Sequence, residues 1–305
     1  MRAPPGRASA YAALVVLALV WGYTWVVIKI ATQFASPYVV AGGRIALGAA
    51  ILFVALAATR RSLRPTPLGP TIVLGLLQTT GFTLFQTLAV AMSGAGKVAV
   101  LAYTMPFWVA ILAWPFLGER ISARRWLALG VAVAGLALVV APLPRGAVVA
   151  DAFAIAAGLS WAASAVWAKR LRARHDVDLL ALTAWQLLWG AIPLVVVMLA
   201  VRERIEWTPA FVAAMAFITI AGASFAWFLW LFILSRLPAG VAGLASLATP
   251  VVGVTAAAIQ LHEIPTRTEL LGMALIVAAL GLNAASARES AGKRQYASDD
   301  LVEGA

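Results

Sequence analysis

AGKVAVLAYTMPFWVAILAWPFLGE, residues 95–119, is a helix-length apolar run with a proline at its middle, and the same device returns 144 residues later as AGVAGLASLATPVVGVTAAAIQLHE, residues 239–263. Laid over each other without gaps, the two 25-residue segments match at Ala95/Ala239, Gly96/Gly240, Pro106/Pro250, Ala113/Ala257, Leu117/Leu261 and Glu119/Glu263. A small-residue entry, a central proline and a terminal acid occupy equivalent places. Those positions point to a duplicated membrane protein.

Composition sets the class. The chain is 63% hydrophobic and 11% charged with a mean hydropathy of +0.94, more apolar surface than one water-soluble globule can bury. Its apolar runs are mostly about 20 residues long, which at a rise of about 1.5 Å per residue matches the roughly 30 Å hydrocarbon core of a bilayer. With no cysteine, neither a disulfide framework nor a thiolate site is available. The two histidines, His175 and His262, fall in predicted loops. A net charge of +11 would suit nucleic acid, but the basic residues sit in short clusters between apolar runs, as cytoplasmic loops require, so no nucleic-acid partner is expected. Arg2 and Arg7 precede a run too long for a secretory h-region and holding Trp21, Tyr23 and Trp25, so an uncleaved first span is expected.

Ten spans are predicted, near 11–31, 37–58, 68–91, 97–117, 123–142, 149–168, 179–201, 209–234, 239–261 and 267–286. With the N-terminus inside, sixteen Lys and Arg fall in cytoplasmic segments, five in outer segments (Lys97, Arg145, Arg202, Arg204, Arg267) and two within spans (Lys29, Arg44), so both termini are expected to be cytoplasmic. Five spans per half place the second half upside down relative to the first. Trp21, Thr24 and Lys29 align at an offset of 140 with Trp161, Ser164 and Lys169, and Arg44 falls against Gln186. The expected fold is therefore an all-α integral membrane protein of ten transmembrane helices, built as two inverted five-helix repeats (1–144 and 145–286) around a central cavity. A polar tail, 287–305, is expected to be disordered. Inverted repeats are characteristic of transporters, because related halves can exchange conformations about a central site.

Polar side chains facing lipid are costly, so embedded ones mark inward faces. In span 3, Gln78, Phe82 and Gln86 recur every four residues with Thr79 beside them. Trp21 and Thr24 of span 1, Trp161 and Ser164 of span 6, Ser224 and Trp227 of span 8, and Tyr103 and Phe107 of span 4 complete the candidate substrate-binding set. The competing reading is that Ser and Thr bond back to their own helix and that aromatics only pack. Trp114, Trp126, Trp167 and Trp207 lie near span ends, as interfacial belts do, whereas Trp108 lies near mid-span with Trp21 and Trp161. Pro106 and Pro250 should free the carbonyls of Ala102 and Ser246 and bend their helices beside the site, as gating kinks.

All twelve acids fall in predicted loops, span ends or the tail, so no embedded carboxylate proton relay is expected. No catalytic residue, metal site or cofactor emerges. Lys29 should snorkel to the outer interface. Arg44 lies deeper and could bond carbonyls, order helix contacts or attract a substrate carboxylate; its match to Gln186 favours the first two. Glu119 and Glu263 read as span-end residues, Thr266 and Glu269 have capping-box spacing, and Ser122 can cap span 5.

The doubled Trp21-to-Lys29 pattern with its echo at Trp161 to Lys169, Arg44, and Pro106 to Glu119 mirrored by Pro250 to Glu263 together resemble the EamA type of the drug/metabolite transporter (DMT) superfamily, and most resemble its YddG branch of bacterial amino-acid exporters. His262, where the first half has Gly118, departs from the pattern. The resemblance implies a multi-pass protein of the bacterial inner membrane that exports small metabolites, with amino acids of aromatic or other apolar kind as the leading substrate and a monomer sufficing in the bilayer. A nucleotide-sugar or phosphorylated-metabolite carrier would need more cations at depth. An integral-membrane enzyme would need an acid/base pair or activated nucleophile, and a channel would not need the duplication.

Overall fold

A computed structural model describes residues 7–60, 62–64, 66–118, 122–140, 145–236 and 248–283. Glu119, Ser246 and the tail over 287–305 lie outside the described residues. Helices follow the apolar runs: α1 (Arg7–Ala31), α2 (Pro37–Ala58), α3 (Leu68–Met92), α4 (Ala95–Leu117), α5 (Ala123–Val140), α6 (Arg145–Arg174) and α7 (Leu179–Val201). These seven are long and apolar enough to cross a membrane. Helix α8 runs through 209–236, α9 is Ala248–Gln260 and α10 covers 267–283. No strand occurs among the described residues.

Local chemistry sets the helix ends. Ser36, Asp178 and Thr208 accept hydrogen bonds from the backbone N–H groups of Val39, Ala181 and Phe211, each three residues on, and Ser122 does the same for Arg125. The Thr266–Glu269 capping box forms in both directions, at 2.9 Å and 3.2 Å. Within α4 the expected bend at Pro106 is a break. The first half ends at Ala102, a turn at Tyr103 and Thr104 intervenes, and Pro106 sits in the first turn of a new helix, where its missing N–H costs nothing. The carbonyl of Ala102 faces Gly158 of α6, where a Cβ would lie 2.8 Å from the oxygen. Pro250 is the third residue of α9, and the bend expected around Ser246 falls outside the described residues.

Two stretches depart from α geometry, Gly75–Gly81 in α3 and Phe217–Phe225 in α8, both wound as π-helix. Their starts are 142 residues apart, within the offset of the sequence halves. In each, a hydroxyl supplies an extra donor to a backbone carbonyl of the widened coil: Ser160 Oγ to Leu77 at 2.7 Å and Ser224 Oγ to Thr219 at 3.2 Å.

The packing carries the same relationship. Helix α1 packs chiefly on α9 and α8, and α6 chiefly on α4 and α3; α2 lies on the π stretch of α8, and α7 on that of α3. Shifting each number by five turns one set of pairs into the other. Helices α2 and α7 pack antiparallel: Ala49, Leu52 and Leu56 meet Ala181, Ala184 and Leu187, and Ala41 and Ile45 meet Ala191 and Leu194. Helices α4 and α9 meet through Gly96 on Val254 and Ala257. At α3–α7 the backbones nearly touch. A Cβ on Gly190 would lie 2.4 Å from Thr79 Cβ and 2.5 Å from the Gly75 carbonyl oxygen.

Gly190→Ala should therefore lower the thermal stability of the purified protein by about 1–3 kcal/mol, the ordinary cost of overpacking. Gly130→Ala, with nothing within 4 Å of its added Cβ, should leave it unchanged. Equal melting temperatures for the two variants in detergent would show that the α3–α7 contact is not a constraint.

Candidate functional site

Between the two sets of helices lies an open-ended cavity of about 510 Å³, within the range that small-molecule sites occupy. Its depth follows from the layer in which Thr24 of α1 meets Gly222 of α8 and Gly48 of α2 meets Ala223. To one side of that layer, four residues back along α2, lies Arg44, about 6 Å away at 1.5 Å per residue. To the other side lie Trp21, Trp227 and Trp230, and the lining continues to Arg125 near the start of α5 and Asn283 at the end of the described α10. Arg44 thus lies on one side of this layer and the tryptophan cluster on the other.

The aromatic part is a cluster around Trp21. Its ring meets Trp227 edge-on with centroids 6.3 Å apart and Trp230 at 5.9 Å, separations typical of favourable aromatic pairs. Trp161, Phe82 and Tyr103 add further walls. At the polar end Arg44 is 6% exposed, and its Nη2 donates to Gln86 Oε1 at 2.6 Å. Its Nε has no hydrogen-bond partner among the described residues. Gln78, Thr79, Thr83 and Gln186 also line the cavity, Gln78 eight residues along α3 from Gln86. The π stretch of α3 gives that helix a broad polar face: Gln78, Thr79, Phe82, Thr83 and Gln86 all reach the cavity.

Of the twelve candidate binding residues, nine line this cavity: Trp21, Thr24, Gln78, Thr79, Phe82, Gln86, Tyr103, Trp161 and Trp227. Phe107 lies in the hydrophobic core outside the lining. Ser164 Oγ bonds back to Trp161 at 2.6 Å and Ser224 Oγ to Thr219, so both hydroxyls serve their own helices. Pro106 lines the cavity and the buried Pro250 does not. Trp108 donates to Thr104 Oγ1 at 3.2 Å and also lies outside the lining. Trp25, which span 1 offers beside Trp21 and Thr24, also belongs to the lining, and Met105, Arg125, Trp230 and Asn283 belong to it without having been singled out by sequence. Trp25 carried a signal, one turn from Trp21; the others sit where only tertiary packing decides.

The opposite end of the bundle is closed by polar contacts. Lys29 does not snorkel: its Nζ donates to the carbonyls of Val90 (2.9 Å), Ala91 (3.2 Å) and Ser93 (3.0 Å) and so caps α3. Glu263 accepts from the N–H of Gly96 at 3.2 Å, serving the start of α4, and Tyr23 Oη donates to Gln260 at 2.7 Å. Beside them Lys97 Nζ lies 3.0 Å from Asp151 Oδ2 and 3.6 Å from Glu269 Oε1. Asp151 sits at a span end, as expected, and is buried there. It lies near the start of α6 but is 1% exposed, held there by Lys97, itself 9% exposed. Among the described residues no group of three or more His, Cys, Asp or Glu could hold a metal ion.

Lys97→Met would strand buried carboxylates and should cost about 3–5 kcal/mol, whereas pairing it with Asp151→Leu should recover most of the loss. A thermal-melting double-mutant cycle reads the coupling; additive losses would show that the pair is not energetically linked.

Comparison with known proteins agrees with this geometry. The model of the EamA-like transporter family matches residues 8–141 and again residues 148–285. The uncharacterized transporter YoaV of Bacillus subtilis is 28% identical over 279 residues, covering 88% of this chain and 94% of the relative. A protein of Salmonella typhimurium named a probable amino-acid metabolite efflux pump is 27% identical over 294 residues, covering 91% and 95%. A solved crystal structure superposes with a TM-score of 0.67 over 92% of this chain and 98% of its own at 19% identity, a likeness of fold.

Proposed function

We propose that this chain, which belongs to the EamA-like transporter family of the DMT superfamily, is a secondary transporter that exports amino acids of aromatic or other apolar kind across the bacterial inner membrane by alternating access. The observation that carries the reading is the cavity of about 510 Å³ between the helices, lined by the aromatic cluster around Trp21 and by Arg44 and the amides of Gln78, Gln86 and Gln186. An apolar side chain can stack on the tryptophans while the amides of Gln78, Gln86 and Gln186 meet the polar end of the molecule.

The finer architecture belongs to the same reading. Ten spans in two inverted five-helix repeats are supported by the double family match, the paired π stretches and the exchangeable packing pairs. Cytoplasmic termini are supported by the sixteen Lys and Arg on that side against five on the other. On that orientation the mouth faces the cytoplasm, the side from which an exporter loads. The cavity lies within one chain, so a monomer suffices. The relative from Salmonella typhimurium named for amino-acid metabolite efflux supports the substrate class.

Liposomes containing only this protein should take up labelled L-phenylalanine or L-tryptophan saturably and above empty liposomes; no uptake of any apolar amino acid would sink the reading. At equal reconstitution, Gln78→Ala should slow uptake by about 2- to 10-fold, the worth of one hydrogen bond. Trp126→Ala, at a half-exposed position, should stay close to the parent rate. The reverse ranking would place the pathway elsewhere.

A further inference from the structure

We infer that Arg44 is a carboxylate-binding residue and that the cavity selects aromatic monocarboxylates, with an α-ammonium group contributing little. The inference rests on the reading of the cavity as the substrate site and goes beyond it by naming which end of the molecule is recognised.

A guanidinium offers five N–H donors in a planar fork that matches a carboxylate. Arg44 is 6% exposed and lines the cavity; Gln86 takes one donation at 2.6 Å, and Nε has no partner among the described residues. No Asp or Glu lines the cavity among the described residues, so the charge of Arg44 is uncompensated at a depth where isolated charge is costly. Lys29 and Lys97 show how this chain treats its other embedded cations. One is given three carbonyls and the other a buried carboxylate. Arg44 is given one amide, and what exposure its side chain keeps lies along the cavity lining. An anion reaching the guanidinium from the cavity would supply the charge partner that the lining lacks.

The position of the aromatics sets the rest of the molecule. Trp21 lies three residues from Thr24 on the side of the layer away from Arg44, so the two are separated by about 10 Å along the helix axes at 1.5 Å per residue. That spacing suits a carboxylate joined through two or three atoms to one aromatic ring. An ammonium on such a molecule would meet no carboxylate among the described lining residues, only amide oxygens, hydroxyls and ring faces. The site therefore rewards the acid group and is nearly indifferent to the amine.

The test uses the full chain in nanodiscs and ligand-observed NMR titration with four probes of one shape: L-phenylalanine, 3-phenylpropionate, 3-phenylpropanamide and phenethylamine. Phenylpropionate should bind at least about tenfold more tightly than the amide or the amine, and within about threefold of phenylalanine. Arg44→Gln should erase the advantage of the carboxylate while leaving the affinity for the amide within about threefold, and Arg44→Lys should keep part of it. Equal binding of phenylpropionate and the amide to the unmodified protein overturns the inference without any variant, and leaves the aromatic cavity standing as a site. Phenylalanine binding more than tenfold tighter than phenylpropionate also overturns it, by showing that the amine is required. Failure of all four probes to bind would instead bring down the reading of the cavity as an aromatic substrate site, and this inference with it.

Discussion

Every backbone or side-chain polar group at membrane depth must find its partner within the protein, because lipid offers none. Much of this structure can be derived from that demand. Where α3 ends, Lys29 reaches across to take three carbonyls. Where α4 breaks before Pro106, Thr104 Oγ1 turns back to the carbonyl of Leu101 at 2.7 Å. Thr80 Oγ1 donates to the Gly190 carbonyl at 2.7 Å across the tight α3–α7 crossing. The irregular backbone is placed where helices surround it or where it borders the cavity, the two settings in which a bilayer protein can hold it.

The same demand explains the pairing of helices. A π stretch and a broken helix both leave carbonyls off their usual partners, and both need a close neighbour to serve them. The π stretch of α3 is served by Ser160 of α6 and pressed against α7, while its counterpart in α8 lies against α1 and α2. Ser160 thus reaches α3 from α6 and Lys29 from α1, whereas Ser224 and Thr104 serve their own helices. Two halves so interlocked can shift as units about their shared surfaces, whereas movement of a single helix would expose unpaired groups. On the proposed reading, this is why a change of access would be a rigid rocking of halves rather than a local opening.

The class of fold was legible in the sequence because it rests on quantities a chain carries openly: run length, hydropathy and the loops between them. The expectation of a duplication rests on a related reason. Pro106 and Pro250, or Trp21 and Trp161, hold equivalent places whatever they touch. The face of α3 could be read because Gln78, Phe82 and Gln86 keep a helical spacing, although the π-helix that broadens this face leaves no local signature in Gly75–Gly81. Asp151 shows the opposite case. Its position near a span end said nothing of its burial, which depends on Lys97, 54 residues earlier in the chain. Ser164 and Ser224 fell out of the cavity for the reason weighed against them at the start, since a serine in a helix has a carbonyl of its own within reach.

A duplicated scaffold would by itself give a cavity with equivalent walls, so its chemistry must come from where the copies differ. Arg44 and Gln186 are the clearest such difference: equivalent places in α2 and α7, both lining the cavity, one a fixed cation and the other a neutral amide. Had both been arginine, two uncompensated charges would face one small space and repel each other; had both been glutamine, nothing would distinguish the ends of a bound molecule. One of each leaves the guanidinium of Arg44 displaced from the middle of the cavity, with the cluster around Trp21 to its other side and Arg125 near the start of α5. A molecule with an anionic end and an aromatic end then has one favoured direction in which to lie. The scaffold is nearly symmetric, and the orientation of what it holds would follow from this one substitution between its halves.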